Sequence, residues 1–274
     1  MASILIPVGI LGGIALLFGI FLIVSAEKFK VKVDEKVVKI QEVLPGIDCG
    51  ACGAPGCSAF AEGVAHGEYV VDGCKAGGEE VALQIADIMG VEVEVGGEEV
   101  AVLLCLGDSE VAKRIADYKG IATCVALHQL GGDKGCIYGC LGLGDCVEAC
   151  PFDAIAMGDN DLPYVIEEKC TACGVCVRTC PRELFEIILK TQDIYLACRS
   201  YDDAKTVKQV CSKGCIGCTL CIRVTENEIV TMDGNLAVVH WDKIEDNKLL
   251  EPALEKCPVK TFIRKSELRG SENV

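Results

Sequence analysis

The sequence predicts an α+β protein folded around metal. Three observations carry that prediction: an uncharged apolar stretch at the start, cysteines in closely spaced groups, and short strand-like segments between the groups. Twenty of the 274 residues are Cys, and only seven Phe, six Tyr and one Trp supply aromatic bulk. A chain so poor in large side chains needs staples, either disulfides or metal. Cys-x2-Cys spacings suit two ligands on one metal centre and make a poor disulfide framework. Thiolate centres persist in reducing compartments, which places the folded body in the cytoplasm. The formal charge of −15 leaves no basic stripe, so nucleic acid is not an expected partner.

Ile4 to Val24 is a 21-residue apolar run, and about 20 helical residues cross a bilayer. Residues 1–26 are therefore expected to be a single-pass transmembrane anchor. Val24-Ser25-Ala26 looks like a signal-peptide cleavage site, but the basic leader that such peptides carry is missing. Lys28, Lys30, Lys32, Lys36 and Lys39 follow, and the excess of cytoplasmic Lys next to membrane spans orients the body inward. Residues 27–43 read as a charged linker, a solvated stalk leading to Pro45.

Cys49, Cys52, Cys57 and Cys74 form the first group, with Gly50, Gly53 and Gly56 among them. The glycines let the backbone wrap a bulky inorganic core. A [4Fe–4S] cluster is expected, and structural zinc is the alternative, since four thiolates suit it too. Helices are expected over 58–66 and 79–89, and strand-like alternation over 91–104. Cys105 and Cys124 each stand alone and read as buried structural thiols.

Cys170-x2-Cys173-x2-Cys176-x3-Cys180-Pro181 is the bacterial ferredoxin run. Three of its Cys hold one [4Fe–4S] cluster and the fourth serves the other cluster of a pair. Cys140, Cys146 and Cys150-Pro151 supply the partner half, with Leu143 at the middle ligand position and Cys136 as the expected substitute. The crossed sets are then Cys136, Cys140, Cys146 and Cys180, and Cys150, Cys170, Cys173 and Cys176. Strands are expected on either side of the turn Gly158-Asp159-Asn160-Asp161.

A second copy follows. Tyr195-Leu196-Ala197-Cys198 resembles Val102-Leu103-Leu104-Cys105, and Cys211-x3-Cys215 repeats Cys136-x3-Cys140. Cys215, Cys218, Cys221 and the distant Cys257-Pro258 make a fourth ligand set. Thr225, Asn247, Leu250 and Ala253 fall where four further ligands would stand, as if one whole cluster had been lost. Cys198 and Cys211 are expected to be free thiols. The expected organisation is a linker at 27–43, a four-Cys [4Fe–4S] domain with a βα region at 44–125, a two-cluster ferredoxin domain at 126–190 and a degenerate ferredoxin unit with one cluster at 191–274. That makes four [4Fe–4S] clusters.

No dinucleotide-binding glycine motif opens a βα unit, and no nucleophile elbow or histidine-rich motif is present. The chain carries one-electron centres, and any two-electron substrate falls to a partner. An iron–sulfur subunit of another membrane hydrogenase or dehydrogenase, or a zinc-stabilised scaffold, would be the rival readings.

The apolar start, Asp48 to Gly53 with Cys57 and Cys74, and the run Lys134 to Cys146 resemble the B subunits of Rnf complexes over the whole length. The resemblance implies a membrane complex that oxidises reduced ferredoxin, reduces NAD and moves Na⁺ or H⁺. It implies partner subunits that bind flavin and NAD, membrane subunits, and soluble ferredoxin as donor to this chain. Ferredoxins are usually acidic, so docking on a chain of charge −15 calls for a local basic patch. Lys134, Arg178, Lys205, Lys208 and Lys213 are the expected sources.

Overall fold

The computed structural model describes residues 2–28, 34–93, 96–226, 228–244 and 246–268, with the side chains of 2–11, 26, 27 and 247 left aside. Helix α1 (Ala2–Lys28) takes in the expected anchor. Its described side chains, over 12–25, are almost all exposed, among them Leu17, Phe18 and Phe21. Among the described residues no helix is long and apolar enough to cross a membrane. Residues 4–11 of the Ile4–Val24 run, and Lys30 and Lys32 behind it, lie outside the described side chains.

The stretch expected as a solvated stalk is in part a packed helix. Asp34 caps α2 (Glu35–Val43) by accepting the Lys36 N–H at 2.9 Å. Val37, Ile40 and Leu44 form a buried stripe at helical spacing. They pack with Phe60, Val64 and Ile85 of α3 (Cys57–His66) and α4 (Gly78–Met89). The charged residues between them mask this stripe in the sequence. His66 bonds to the Glu62 carbonyl at 2.7 Å, as a capping residue does.

The strand-like stretch after α4 is shorter than expected and belongs elsewhere. Only β1 (Glu99–Leu103) forms, and it pairs antiparallel with β4 (Phe185–Leu189), Leu103 opposite Phe185. Strand β1 is therefore part of the ferredoxin-like unit, which gathers at residues before 126. Between them come α5 (Cys124–Gln129), α6 (Asp145–Glu148), the hairpin β2 (Ile155–Met157) and β3 (Pro163–Val165) around the expected turn, and α7 (Val175–Thr179).

The second unit repeats this plan. Strand β5 (Ile194–Leu196) pairs antiparallel with β8 (Phe262–Arg264), Leu196 opposite Phe262. Between them stand α8 (Ala204–Val210), α9 (Leu220–Val224), the hairpin β6 (Val230–Asp233) and β7 (Leu236–Val239), and α10 (Glu251–Lys256). The correspondence holds residue by residue. Leu103 and Leu196 each stand two residues before a lone Cys, and Phe185 and Phe262 each stand five after a Cys-Pro cysteine. The next bonds also match: Leu104 N–H to the Leu184 carbonyl at 2.7 Å, and Ala197 N–H to the Thr261 carbonyl at 2.9 Å.

Two of the positions expected to have lost their ligands are filled with core. Leu250 and Ala253 are fully buried and pack with Ile229, Leu236 and Phe262. Thr225 turns its hydroxyl to the Cys221 carbonyl at 2.9 Å. The Asn247 side chain lies outside the described residues. Close apolar packing at these positions gives the unit a core of its own.

Candidate metal centres

All twenty cysteines are free thiols, and no disulfide joins any pair. Among the described residues no three His, Cys, Asp or Glu converge as the ligands of one metal ion do. Sixteen of the thiols instead line cavities in sets of four. A cubane cluster keeps its thiolates farther apart than one ion does, because irons and sulfides lie between them.

The first site is a cavity of about 330 Å³ lined by Cys49, Cys52, Cys57 and Cys74. Asp48, at φ 51°, accepts the Cys57 N–H at 2.6 Å and so starts α3 at a ligand. A side chain at position 56 would meet that carboxylate at 2.9 Å and push it off the Cys57 N–H. Burial pushes the Cys74 thiol up, partly offset by the Gly77 N–H.

In the ferredoxin loops the backbone alternates through the left-handed region at matching places: Gly142 and Gly144, Ala172 and Gly174, Gly217 and Thr219. Each pair flanks one position: Leu143, Cys173 and Cys218. The loop around Leu143 has therefore kept the cluster-binding shape without its middle ligand.

The structure fills that gap with Cys124 and not with Cys136. A cavity of about 380 Å³ is lined by Cys124, Cys140, Cys146 and Cys180. The carboxylate of Asp145, the neighbour of Cys146, accepts the N–H groups of Cys124 at 2.7 Å and Val125 at 3.2 Å. This pins the start of α5 against the cluster loop. Burial pushes the Cys124 thiol up, while the backbone N–H groups of Asp145 and Leu143 favour its thiolate. Arg182 lines the same cavity, and its buried Nε has no hydrogen-bond partner. A cluster sulfur bound in this cavity would offer that donor an acceptor. Cys136, expected here, lines a different cavity. The repeat holds the clue: its counterpart Cys211 precedes a triplet, Cys215, Cys218 and Cys221, that is complete without it.

The thiols of the crossed partner set lie near enough to act on one another by charge. Burial pushes Cys176 up to about 12, and the thiolates of Cys170 and Cys173 push in the same direction. Cys150 adds to the rise at Cys173, and its sulfur accepts the Ala154 N–H at 3.3 Å. In the second unit a cavity of about 350 Å³ is lined by Cys215, Cys218, Cys221 and Cys257. Cys257 accepts the Thr261 N–H at 3.4 Å, the bond that Cys150 makes with Ala154. Burial pushes Cys221 up to about 11. Protonated thiols at neutral pH must lose their protons on binding iron.

Neighbouring sites touch. Arg178 donates to the Cys49 carbonyl at 3.1 Å, joining the first site to the loop of Cys173 and Cys176. Cys176 and Cys146 lie close enough for charge on one to raise the other. Of the five cations expected as a docking patch, Lys134 is buried and donates to the Gly107 carbonyl at 2.7 Å. Its ammonium ties the Gly107 loop to the segment before Cys136, inside the protein and away from a docking surface. Arg178 is held by Cys49, whereas Lys205 and Lys208 are exposed on α8.

An Fe-S cluster family matches residues 44–76, and a 4Fe-4S dicluster domain matches 135–184. Among the curated relatives is the B subunit of the Na(+)-translocating ferredoxin:NAD(+) oxidoreductase complex of Acetobacterium woodii. The chain is 39% identical to it over 258 residues, covering 94% of this chain and 77% of the relative. It is 39% identical over 236 residues to the B subunit of the ion-translocating oxidoreductase complex of Methanosarcina acetivorans, covering 82% and 89%. The B subunit of the proton-translocating ferredoxin:NAD(+) oxidoreductase complex of Clostridium ljungdahlii is 36% identical over 261 residues, covering 93% and 92%.

Proposed function

The chain belongs to the B-subunit family of the ion-translocating ferredoxin:NAD oxidoreductase complexes, and from that premise we propose that it takes electrons from reduced ferredoxin and passes them through [4Fe–4S] clusters to partner subunits. As a family member it is an electron-transfer subunit of an oxidoreductase that also translocates ions.

Four clusters follow from the ligand sets. Cys49, Cys52, Cys57 and Cys74 hold the first. Cys150, Cys170, Cys173 and Cys176 hold the second. Cys124, Cys140, Cys146 and Cys180 hold the third, and Cys215, Cys218, Cys221 and Cys257 hold the fourth. The cluster supplies the one-electron chemistry when bound. The protein's own groups bind it, shield it and tune it. The N–H donors to Cys150 and Cys257 and the Arg182 cation favour the reduced, more negative state.

One observation carries the reading: thiol sets that lie beside one another along the fold, from Cys49 at Arg178 to Cys176 at Cys146. Flavin- and NAD-binding subunits, which this chain does not replace, receive the electrons. Helix α1 anchors the chain as a single-pass span, with the cluster domains on the cytoplasmic side. The discriminating experiment adds reduced ferredoxin to the anaerobically purified full chain. Bleaching of the visible cluster absorption at a rate that rises with ferredoxin concentration is expected. A colourless, zinc-loaded chain would reject the relay.

A further inference from the structure

We propose that Cys105, Cys136, Cys198 and Cys211 hold a fifth [4Fe–4S] cluster at the seam between the two ferredoxin-like units. This rests on the iron–sulfur reading above and extends it to the four cysteines that the other sets leave over.

The four thiols line one cavity of about 440 Å³, comparable to the cavities at the first, third and fourth sites. They come as two equivalent pairs. Cys105 and Cys198 each follow the first strand of a unit, and Cys136 and Cys211 each stand four residues before the first cysteine of a cluster loop. Each repeat therefore gives the same two ligands, and the site has the approximate two-fold arrangement that a cubane accepts.

The backbone is built to bring the pairs together. Residues 111–115 thread between the units. Lys113 N–H donates to the Val210 carbonyl at 2.8 Å, and the Lys113 carbonyl accepts the Gly135 N–H at 2.8 Å. Ala112 bridges Cys211, and Arg114 bridges Lys134. Cys136 and Cys211 are thereby held on either side of one strand-like segment.

The sulfurs are already dressed as cluster ligands are. Cys105 accepts the N–H groups of Gly107 at 3.3 Å and Cys140 at 3.4 Å. Cys198 accepts those of Ser200 at 3.4 Å and Cys215 at 3.3 Å. Amide donors of this kind stabilise thiolate ligands and tune the cluster.

Lys134 is a second, independent observation. It is 2% exposed, and among the described residues no carboxylate lies within ion-pair distance of its ammonium. A buried charge without a counter-charge is costly. Its positive charge acts on the thiols of Cys105 and Cys211, so an anionic cluster there supplies the missing partner.

The site also closes a gap in the relay. Cys140 of the third site donates its N–H to Cys105, and Cys215 of the fourth donates its own to Cys198. The fifth cluster sits between the two and links the C-terminal cluster to the rest of the relay.

The test is iron and sulfide analysis of the full-length chain, made and purified without oxygen, with EPR of the reduced protein. Five clusters give about twenty irons per chain and four give about sixteen, at four irons each. We expect about twenty, falling by about four in Cys198→Ala and in Cys211→Ala, with one EPR signal lost and the others kept. A wild-type count of about sixteen overturns the inference and leaves the relay standing, whether or not the variants fold. A count of about twenty that survives both substitutions overturns the assignment of these ligands. Zinc in place of iron overturns the relay and the fifth cluster together.

Discussion

The Asp145 carboxylate accepts the N–H of Cys124 at 2.7 Å, across 21 residues of sequence. It joins a lone cysteine at a helix start to the loop that lacks a ligand at Leu143. Cys124→Ala should therefore remove the cluster of Cys140, Cys146 and Cys180, whereas Cys136→Ala should spare that cluster. Asp145→Ala removes a helix-start acceptor, worth about 1 kcal/mol, and should make the same cluster easier to strip with chelator. EPR on the three variants checks this, and a third cluster that survives Cys124→Ala would refute the assignment.

Lys134 makes a second prediction. A buried cation beside a cluster favours its reduced state, so its removal favours the oxidised one. Lys134→Met should lower the midpoint potential of one cluster by tens of millivolts and leave the iron content unchanged. Potentiometric EPR titration reads the shift. An unchanged potential would mean that the ammonium serves the Gly107 turn alone.

Helix α8 is the docking site proposed for ferredoxin. Lys205 and Lys208 are exposed, and α8 also supplies Val207 and Val210 to the wall of the seam cavity. Charge reversal of both, to Glu, should slow reduction by ferredoxin about tenfold at low salt and flatten its salt dependence, since steering by exposed charge is screened. Stopped-flow reduction across a salt series measures it. A variant as fast and as salt-sensitive as the wild type moves the docking site elsewhere.

Much of the site is legible in the sequence because the ferredoxin run fixes ligands by local spacing. Cys170, Cys173 and Cys176 sit on one loop, and the crossed Cys150 and Cys180 follow from the rule that the Cys-Pro cysteine serves the other cluster. Cys124 is not legible that way, since only the tertiary bond to Asp145 places it. The repeat of Cys136-x3-Cys140 in Cys211-x3-Cys215 is visible, but it reads as a local substitution when it marks a pair facing its counterpart across a seam. In the fold, helices α3 and α4 and the hairpin of β2 and β3 follow from pattern and turn chemistry. The partner of β1 does not, because β1 and β4 are more than 80 residues apart and no local signal encodes the pairing. Nor does the buried face of α2, where three apolar residues are scattered among charges.

The last prediction concerns the cluster that the second unit has lost. Leu250 and Ala253 stand at two of the missing ligand positions and are fully buried in apolar core. Thr225 is tied to the Cys221 carbonyl. Restoring Cys at these positions should not restore a cluster, because the space that irons and sulfides would need is packed with side chains. Leu250→Cys removes buried volume from this core and should cost about 2 kcal/mol or more, with iron content unchanged. The surviving cluster depends instead on Cys257, which lies 36 residues beyond Cys221 in sequence but lines the same cavity. Cys257→Ala should lower iron by about four per chain and remove one EPR signal while the remaining signals persist. Iron analysis with EPR on both variants gives the answer. Iron gained in Leu250→Cys, or a full complement kept in Cys257→Ala, would show that the second unit binds its cluster through a different ligand set.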